Sequence, residues 1–234
     1  MSVAIMAIVG KGYGEYCPIA KASEIIGERW TPLILRNLSI RCHTFSQIQQ
    51  GCPRISSTLL AQRLRSLERD RVVERVAAPS GRGSHYYLTP SGQELAEVIL
   101  QLGTWGARWL ELGPRDYDPG VVLWAWAKFL DPERLPAHRI VVRFDLGDRP
   151  MEQYWMLIDR PESEVCVKHP GFDEDLVVTT DSITLTDVHR GRIAFDRARA
   201  AGRIRIDGIS ELAEAFPSWG GLSYFAGVAP ARSL

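Results

Sequence analysis

Residues 56–69 read SSTLLAQRLRSLER, and this stretch decides how the first half of the chain folds. Leu60, Leu64 and Leu67 recur at the spacing of one face of an α-helix. Ser56 or Ser57 is a favourable N-cap. The opposite side carries no carboxylate and presents Thr58, Gln62, Arg65 and Arg69. The stretch therefore predicts an amphipathic helix with a polar and cationic outer stripe.

This outer stripe suits the edges of DNA bases. The major groove admits one α-helix, which needs small or polar residues near its N-terminus to approach the bases. Thr58 is short, Gln62 can pair with adenine, and Arg65 can bind guanine or a phosphate. Hydroxyls and cations at a helix start suit the DNA backbone. The predicted DNA contacts on this segment are Arg54, Ser56, Ser57, Thr58, Gln62, Arg65 and Arg69.

The flanking sequence predicts the rest of a winged helix. Helices are expected over residues 17–27, 31–38 and 45–50, with Thr31 as N-cap and Pro32 in the first helical position. Strands are expected over residues 72–76 and 86–88, separated by a glycine-rich hairpin tip. Arg82 in that tip fits a wing that enters the minor groove, where negative potential attracts arginine. The alternative is a solvent-exposed hairpin with an incidental arginine.

The charge is unevenly distributed along the chain. The net charge is zero, but residues 1–112 hold 13 Lys and Arg against 9 Asp and Glu, so the remaining half is net acidic. Residues 41–82 hold eight arginines against three acidic residues. Local positive charge is typical of phosphate binding. A solvated arginine-rich face is the alternative.

Residues 17–110 resemble the HxlR-type family of winged-helix regulators, relatives of the MarR group. The resemblance is carried by Cys17-Pro18, IGERWTPLILRNL at 26–38, FSQI at 45–48, Ile55-Ser56, LAQRLRSLE at 60–68 and YLTPSG at 87–92. It implies a homodimer that binds double-stranded operator DNA, usually as a repressor. The family usually has glycine where this chain has Arg71, and a left-handed arginine there would strain the turn modestly.

A long helix is expected from Pro90 to about Leu112. It carries more large apolar side chains on one side than a small three-helix core needs, and this favours a dimer interface. A dimer also doubles the DNA site that one helix-turn-helix can read. The alternative is that the helix packs on the second domain. The predicted dimerisation residues are Leu95, Val98, Leu102, Trp105 and Trp109.

The four cysteines show no C-x-x-C spacing, which fits a reducing compartment and argues against a disulfide scaffold or a structural zinc site. The histidines also lack metal-ligand spacing, so no metal or other cofactor is expected. The family resemblance implies that Cys17 is a thiol sensor, and a helix N-terminus stabilises a thiolate. An inert, partly buried thiol is the alternative.

Residues 138–216 resemble the sterol carrier protein type 2 domain. The cue is the order of strands and helices around DLVVTTD at 175–181 and RIRIDG at 203–208. The resemblance implies a five-stranded sheet with helices on one face and an apolar cavity for lipid-like molecules. The candidate ligand-binding residues are Trp155, Phe172, Leu185 and Phe195. The alternative is that these side chains simply fill the core.

Together these observations predict an α+β protein with a winged-helix DNA-binding and dimerisation domain at 1–112 and a ligand-binding α/β domain at 121–234. A proline- and glycine-rich break at 113–120 separates them. We expect a cytoplasmic dimeric repressor controlled by an apolar or lipid-like effector. No catalytic residues are identified, so an enzyme is not expected, and no apolar run is long enough for a membrane span. The alternatives are a redox-sensing repressor acting through Cys17, or a lipid-binding protein whose winged helix mediates protein interactions.

Overall fold

The computed structural model describes residues 12–78, 83–160 and 162–231. The chain divides into two compact units between Gln101 and Leu102, a point that lies inside a long helix. The sequence predicted a boundary at 113–120 instead. The last two turns of this helix belong with the second unit because Arg192 and Phe225, both in that unit, contact them.

The first unit has the element order of a winged helix. Its elements are α1 (Pro18–Ile26), α2 (Thr31–Ser39), α3 (Phe45–Gln50), α4 (Ser57–Arg69), β1 (Val73–Ala77), β2 (Ser84–Leu88) and the start of α5 (Pro90–Trp109). The two strands pair antiparallel, with Val73 opposite Leu88 and Ala77 opposite Ser84. The predicted order, with four helices before the hairpin and a long helix after it, is confirmed.

The start of α2 differs from the prediction. Thr31 is the first helical residue, and the capping residue is Trp30, whose φ is 79°. Pro32 therefore takes the second helical position, where it also lacks an amide that would need a partner. At this left-handed residue the Trp30 ring contacts the side chain of Arg29. The guanidinium carbon of Arg29 lies 5.2 Å from the centroid of the ring.

The second unit contains a five-stranded sheet. Its strands are β3 (Ile140–Leu146), β4 (Gln153–Asp159), β5 (Glu162–Cys166), β6 (Leu176–Thr180) and β7 (Arg205–Gly208), in the order β5-β4-β3-β6-β7. Only the central β3–β6 pair is parallel. The helices are α6 (Pro119–Lys128), α7 (Ser182–His189), α8 (Phe195–Ala200) and α9 (Ser210–Ala215), and a 3₁₀ turn covers Phe216–Trp219.

One face of this sheet carries the core of the second unit. Alternate residues of β3 point to that face, because successive side chains of a strand point to opposite sides. Ile140, Val142 and Phe144 are fully buried there, and Leu123 of α6 and Leu185 of α7 pack in the same cluster. The predicted α+β class, with a five-stranded sheet and helices, is confirmed. Among the described residues, no helix is both long and apolar enough to cross a membrane.

Candidate nucleic-acid interface

Helix α4 separates its apolar and polar residues as the sequence predicted. Leu60, Leu64 and Leu67 are buried, with at most 2% of each side chain exposed. The outer stripe is open to solvent at every predicted position, and so is the segment leading into the helix. These exposed residues are Arg54, Ser56, Ser57, Thr58, Gln62, Arg65 and Arg69. The structure thus brings seven of the eight predicted DNA contacts onto one helix and its N-terminal turn.

The N-terminus of α4 is held by two side chains. The Ser56 hydroxyl accepts a hydrogen bond from the Leu59 amide at 3.2 Å, so Ser56 is the N-cap. Gln49 of α3 donates from Nε2 to the Ser57 hydroxyl at 3.0 Å. A helix N-terminus that is held in this way offers its remaining amides to an anion such as a phosphate.

The middle of α4 is fixed to the turn between α1 and α2. Arg63 forms an ion pair with Glu28 and donates from Nε to the carbonyl oxygen of Arg29 at 3.2 Å. Arg63 is therefore a positioning residue, although the sequence analysis assigned it no role. Its neighbour Arg65 lies on the exposed side of the same helix and has no ion pair with another residue that the structure describes.

A buried polar network fixes α3 relative to α2. Asn37 is fully buried and donates from Nδ2 to the carbonyl oxygen of Ile48 at 2.9 Å. Arg36 donates to Asn37 Oδ1 at 2.8 Å and to the carbonyl oxygen of Gly51 at 2.8 Å. Burial lowers the pKa of Arg36 and raises that of Cys52, which lies beside Asn37. Sequence reasoning missed this network; its signal was an Arg-Asn pair inside an otherwise apolar helix.

The short helix α3 begins with a reciprocal cap. The Thr44 hydroxyl accepts a hydrogen bond from the Gln47 amide at 3.2 Å, and Gln47 Oε1 accepts one from the Thr44 amide at 3.1 Å. This is the capping box that a Thr-x-x-Gln sequence predicts. A six-residue helix is too short to be stable alone, so this cap helps to define where α3 begins.

The hairpin is attached to the turn before α3. The Tyr86 amide donates to the carbonyl oxygen of His43 at 2.8 Å, and the His43 and Tyr87 rings lie 4.5 Å apart. Arg75 of β1 donates from Nε to the Ser84 hydroxyl at 2.8 Å. The tip of the predicted wing, including Arg82, lies outside the described residues.

The residue after α4 is left-handed. Arg71 has a φ of 58°, in the region that glycine adopts without strain. Its carbonyl oxygen accepts a hydrogen bond from the Thr89 hydroxyl at 2.7 Å. The departure from the family pattern therefore falls on a residue whose backbone favours glycine, as the sequence analysis anticipated.

The predicted dimerisation residues form a continuous stripe along α5. Val98, Leu102, Trp105 and Trp109 are each 52–53% exposed, and Leu95 is half-buried. These positions are separated by three or four residues and thus lie on one helix face. Large apolar side chains so exposed on a single chain are typical of an association surface.

The cysteines differ in accessibility. Cys17 is the N-cap of α1 and is half-buried, whereas Cys42 and Cys52 are fully buried. Lys21, one turn away, forms an ion pair with Glu24 at 3.0 Å. Cys17 is thus a partly accessible thiol at a helix N-terminus.

The structure does not bring the four candidate ligand-binding residues together. Leu185 lies in the core on one face of the sheet, and Phe195 packs against that core. Trp155 alternates with the core residues of β4 and so points to the other face, where its Nε1 donates to Glu174 at 3.0 Å. Phe172 is 42% exposed beneath the guanidinium of Arg139. The sheet separates Trp155 from Leu185, so a single cavity lined by all four residues does not form.

Residues 25–114 match the model of the HxlR-like helix-turn-helix family. The HTH-type transcriptional regulator YvaP of Bacillus subtilis (strain 168) is 33% identical over 99 residues, which make up 42% of this chain and 92% of YvaP. The HTH-type transcriptional regulator YodB of the same organism is also 33% identical over 99 residues, 42% of this chain and 88% of YodB. The solved structure of reduced YodB from B. subtilis shows 32% identity, covers 42% of this chain and 99% of YodB, and has a TM-score of 0.37.

The family match covers α2 to α5 and the hairpin between β1 and β2, and the match with YvaP covers nearly its full length. The chain therefore belongs to the HxlR-like helix-turn-helix family and is a transcriptional regulator of that type.

Proposed function

We propose that this regulator binds double-stranded operator DNA as a homodimer and acts as a repressor whose DNA affinity is controlled by a small ligand of the second unit. The observation that carries the DNA-binding part is the exposed stripe of α4. It combines short, amide and guanidinium side chains with no carboxylate, on a helix whose start and middle are held by hydrogen bonds.

Each residue of the stripe has a role in this proposal. Thr58 allows close approach of the helix N-terminus to the major groove. Gln62 pairs with adenine, and Arg65 binds the edge of guanine with its two-pronged donor geometry. Ser56 and Ser57, together with Arg54 and Arg69, contact phosphates and set the register of the helix. Arg82, in the predicted hairpin tip, is proposed to reach the minor groove.

The homodimer is proposed to form through the exposed stripe of α5, centred on Leu102, Trp105 and Trp109. Burying these side chains against a second copy removes apolar surface from water. Two recognition helices would then meet two half-sites about 34 Å apart, one turn of the duplex. The expected operator is accordingly a palindrome.

Ligand control is assigned to the second unit because most of that unit lies outside the match with the helix-turn-helix family. YvaP is matched over 92% of its length by 42% of this chain, so residues beyond the match are an addition to the regulator. An added α/β unit that holds the C-terminal end of α5 is well placed to alter the dimer. A ligand does so only if it binds two states of the dimer with different affinity.

The test is a titration of fluorescently labelled DNA from upstream of the chain's own gene, followed by fluorescence anisotropy at several salt concentrations. Specific binding should exceed binding to scrambled DNA of the same length, and the affinity should fall linearly on a log–log plot as salt rises. A flat salt response, or equal affinity for both DNAs, would contradict operator binding. A protein that binds neither DNA but carries an apolar molecule through purification would instead support a lipid-binding role.

Redox control through Cys17 is the second candidate, favoured by the half-buried thiol at the start of α1. YodB has been solved in a diamide-treated and in a reduced form, and HypR is named a redox regulator. Treatment with diamide should then lower the DNA affinity of the wild type but not of a Cys17→Ser variant. Equal loss in both proteins would rule Cys17 out.

A further inference from the structure

The second unit contains a cavity that is separate from the four candidate ligand residues. It has a volume of about 310 Å³ and lies between the C-terminal half of α5, the end of α7 and the segment around Phe225. Its walls include Gly106 from α5 and Leu110 just beyond the end of that helix, and it is also lined by Arg190 and Arg192. All of these residues belong to the second unit.

Glycines of α5 make room for this cavity. The Phe225 ring lies directly over Gly103, where a Cβ atom would be 2.4 Å from its Cζ. At Gly106 the nearest atom to an added Cβ is Leu110 Cδ1 at 3.9 Å, which is ordinary van der Waals distance. Glycine inside a helix lowers helix stability by about 1 kcal/mol relative to alanine. Two glycines on this side of α5 therefore call for a structural explanation. The close packing of Phe225 explains Gly103, and the open volume explains Gly106.

The two arginines bring positive charge to an apolar space. Arg192 donates to the carbonyl oxygen of Ala107 at 3.1 Å and to that of Val228 at 3.3 Å. These two hydrogen bonds orient the guanidinium but do not neutralise its charge, because carbonyl groups are uncharged. Arg190, the C-cap of α7, is half-buried. Within the part of the chain that the structure describes, neither guanidinium has a carboxylate at ion-pair distance. Partly buried charge of one sign is stabilised by a counter-ion.

We propose that this cavity binds a small carboxylate with an apolar body. The guanidinium groups of Arg190 and Arg192 hold the carboxylate, because the arginine fork matches its two oxygens. Leu110, Leu112 and the Phe225 ring surround the body. At roughly 30 Å³ for each water-sized group, the cavity accommodates about ten non-hydrogen atoms, which is the size of octanoate.

The position of the cavity suggests how ligand binding could affect the proposed dimer surface. Helix α5 lines it with Gly103 and Gly106 and presents Leu102, Trp105 and Trp109 to solvent. A ligand that fills the cavity acts directly on the helix that carries the proposed dimer surface. This regulatory consequence rests on the proposed function, whereas ligand binding itself does not.

Isothermal titration calorimetry on the full-length protein tests the site with octanoate as the probe. We expect saturable binding of one octanoate per chain, and at least tenfold weaker binding of 1-octanol and of inorganic phosphate. If octanol binds as tightly as octanoate, the arginines do not recognise the carboxylate and the proposal is wrong. If phosphate alone binds as tightly, the apolar body contributes nothing and the proposal is equally wrong.

Three variants at two positions locate the binding. Gly106→Leu fills the cavity while improving helix propensity, and it should abolish octanoate binding, whereas Gly106→Ala should stay within about twofold of the wild type. Arg190→Gln should weaken binding at least tenfold. Unchanged affinity in Gly106→Leu, with a melting temperature at or above that of the wild type, would place the ligand elsewhere and overturn the assignment.

DNA titrations with and without octanoate separate this inference from the proposed function. A protein that binds octanoate but no DNA refutes the proposed function alone. A protein that binds operator DNA but no octanoate refutes the cavity assignment alone.

Discussion

Asn37 in α2 donates its buried side-chain amide to the main-chain carbonyl oxygen of Ile48, near the end of α3, at 2.9 Å. This hydrogen bond joins α2 to α3 at a point with no access to water. Arg36 continues the network to Gly51, just before the segment that leads into α4. The orientation of α4, the helix proposed to contact DNA, therefore depends on buried polar groups that lie away from its exposed stripe.

The first prediction concerns this network. Replacing Asn37 with Leu keeps the approximate volume but leaves the Ile48 carbonyl without this donor and removes one of the acceptors of the Arg36 guanidinium. We expect a loss of about 1–3 kcal/mol in the free energy of unfolding, because buried polar groups without hydrogen bonds are costly. Urea denaturation measures the loss. Ser39→Ala, an exposed site on the same helix, should change stability by less than about 0.5 kcal/mol, and an equally small effect of Asn37→Leu would show the network to be dispensable.

The second prediction concerns base recognition by α4. Arg65→Ala should cost about 1–3 kcal/mol of operator affinity and relax specificity at one base position. Anisotropy titrations against operators carrying single base changes would reveal the relaxed position. The matched control is Arg199→Ala, an exposed arginine of the second unit, which should leave the affinity unchanged. Equal losses in the two variants would mean that only overall charge matters.

The third prediction concerns the left-handed residue after α4. Arg71→Gly should stabilise the protein by up to about 1 kcal/mol relative to Arg71→Ala, because glycine adopts a positive φ without strain although it loses more entropy on folding. Both variants remove the arginine side chain, so the comparison isolates the backbone. Thermal or urea unfolding of the two variants measures the difference in their stability. An alanine variant as stable as the glycine variant would mean that the turn is not strained.

The fourth prediction concerns the exposed stripe of α5. Trp105→Glu should raise the dimer dissociation constant by on the order of tenfold or more, because buried tryptophans dominate association energies. Sedimentation velocity over a range of protein concentrations measures this change, and operator affinity should fall with it. Val167→Glu, at an exposed apolar site on the second unit, is the control. If both variants remain dimers of wild-type affinity, α5 is not the interface.

The fifth prediction concerns pH. Burial lowers the pKa of His189 below its ordinary value of 6.5, and Nδ1 of this histidine lies 2.6 Å from the carbonyl oxygen of Gly221. The unfolded chain binds a proton near pH 6.5, whereas the folded chain resists protonation until a lower pH. Stability is therefore full above pH 6.5 and is lost as the pH falls below it.

Melting temperatures measured from pH 8 downwards should show this decline in the wild type. The decline should be smaller in His189→Asn, which cannot take up a proton at that position. The exposed His138→Asn should behave like the wild type. A wild-type slope that survives in His189→Asn would assign the pH dependence to other groups.

Much of the first unit follows from local sequence. The spacing of Leu60, Leu64 and Leu67 predicted α4 with its buried face, and Ser56 marked its start within one residue. The glycine-rich segment between β1 and β2 indicated a hairpin. These features could be predicted because helix periodicity, capping and turns each depend on residues that are close in the chain.

The network of Arg36, Asn37 and Ile48 could not be predicted in the same way. Its partners come from separate helices, and a sequence shows that Asn37 is polar but not what it faces. The same holds for Arg63, whose contacts with Glu28 and Arg29 span more than thirty residues. Trp30 was assigned no special conformation because a left-handed tryptophan goes against its local preference.

In the second half, alternation and periodicity in the sequence predicted the individual strands and helices, because these patterns report which residues face a core. The five-stranded sheet was implied by the resemblance to the sterol carrier protein type 2 domain. Only the tertiary structure decided that Trp155 and Leu185 lie on opposite faces of that sheet. It also decided that Arg190, Arg192 and Gly106 surround one cavity. Residues distant in the chain meet only through packing, and packing depends on the shapes of all the elements at once rather than on any one segment.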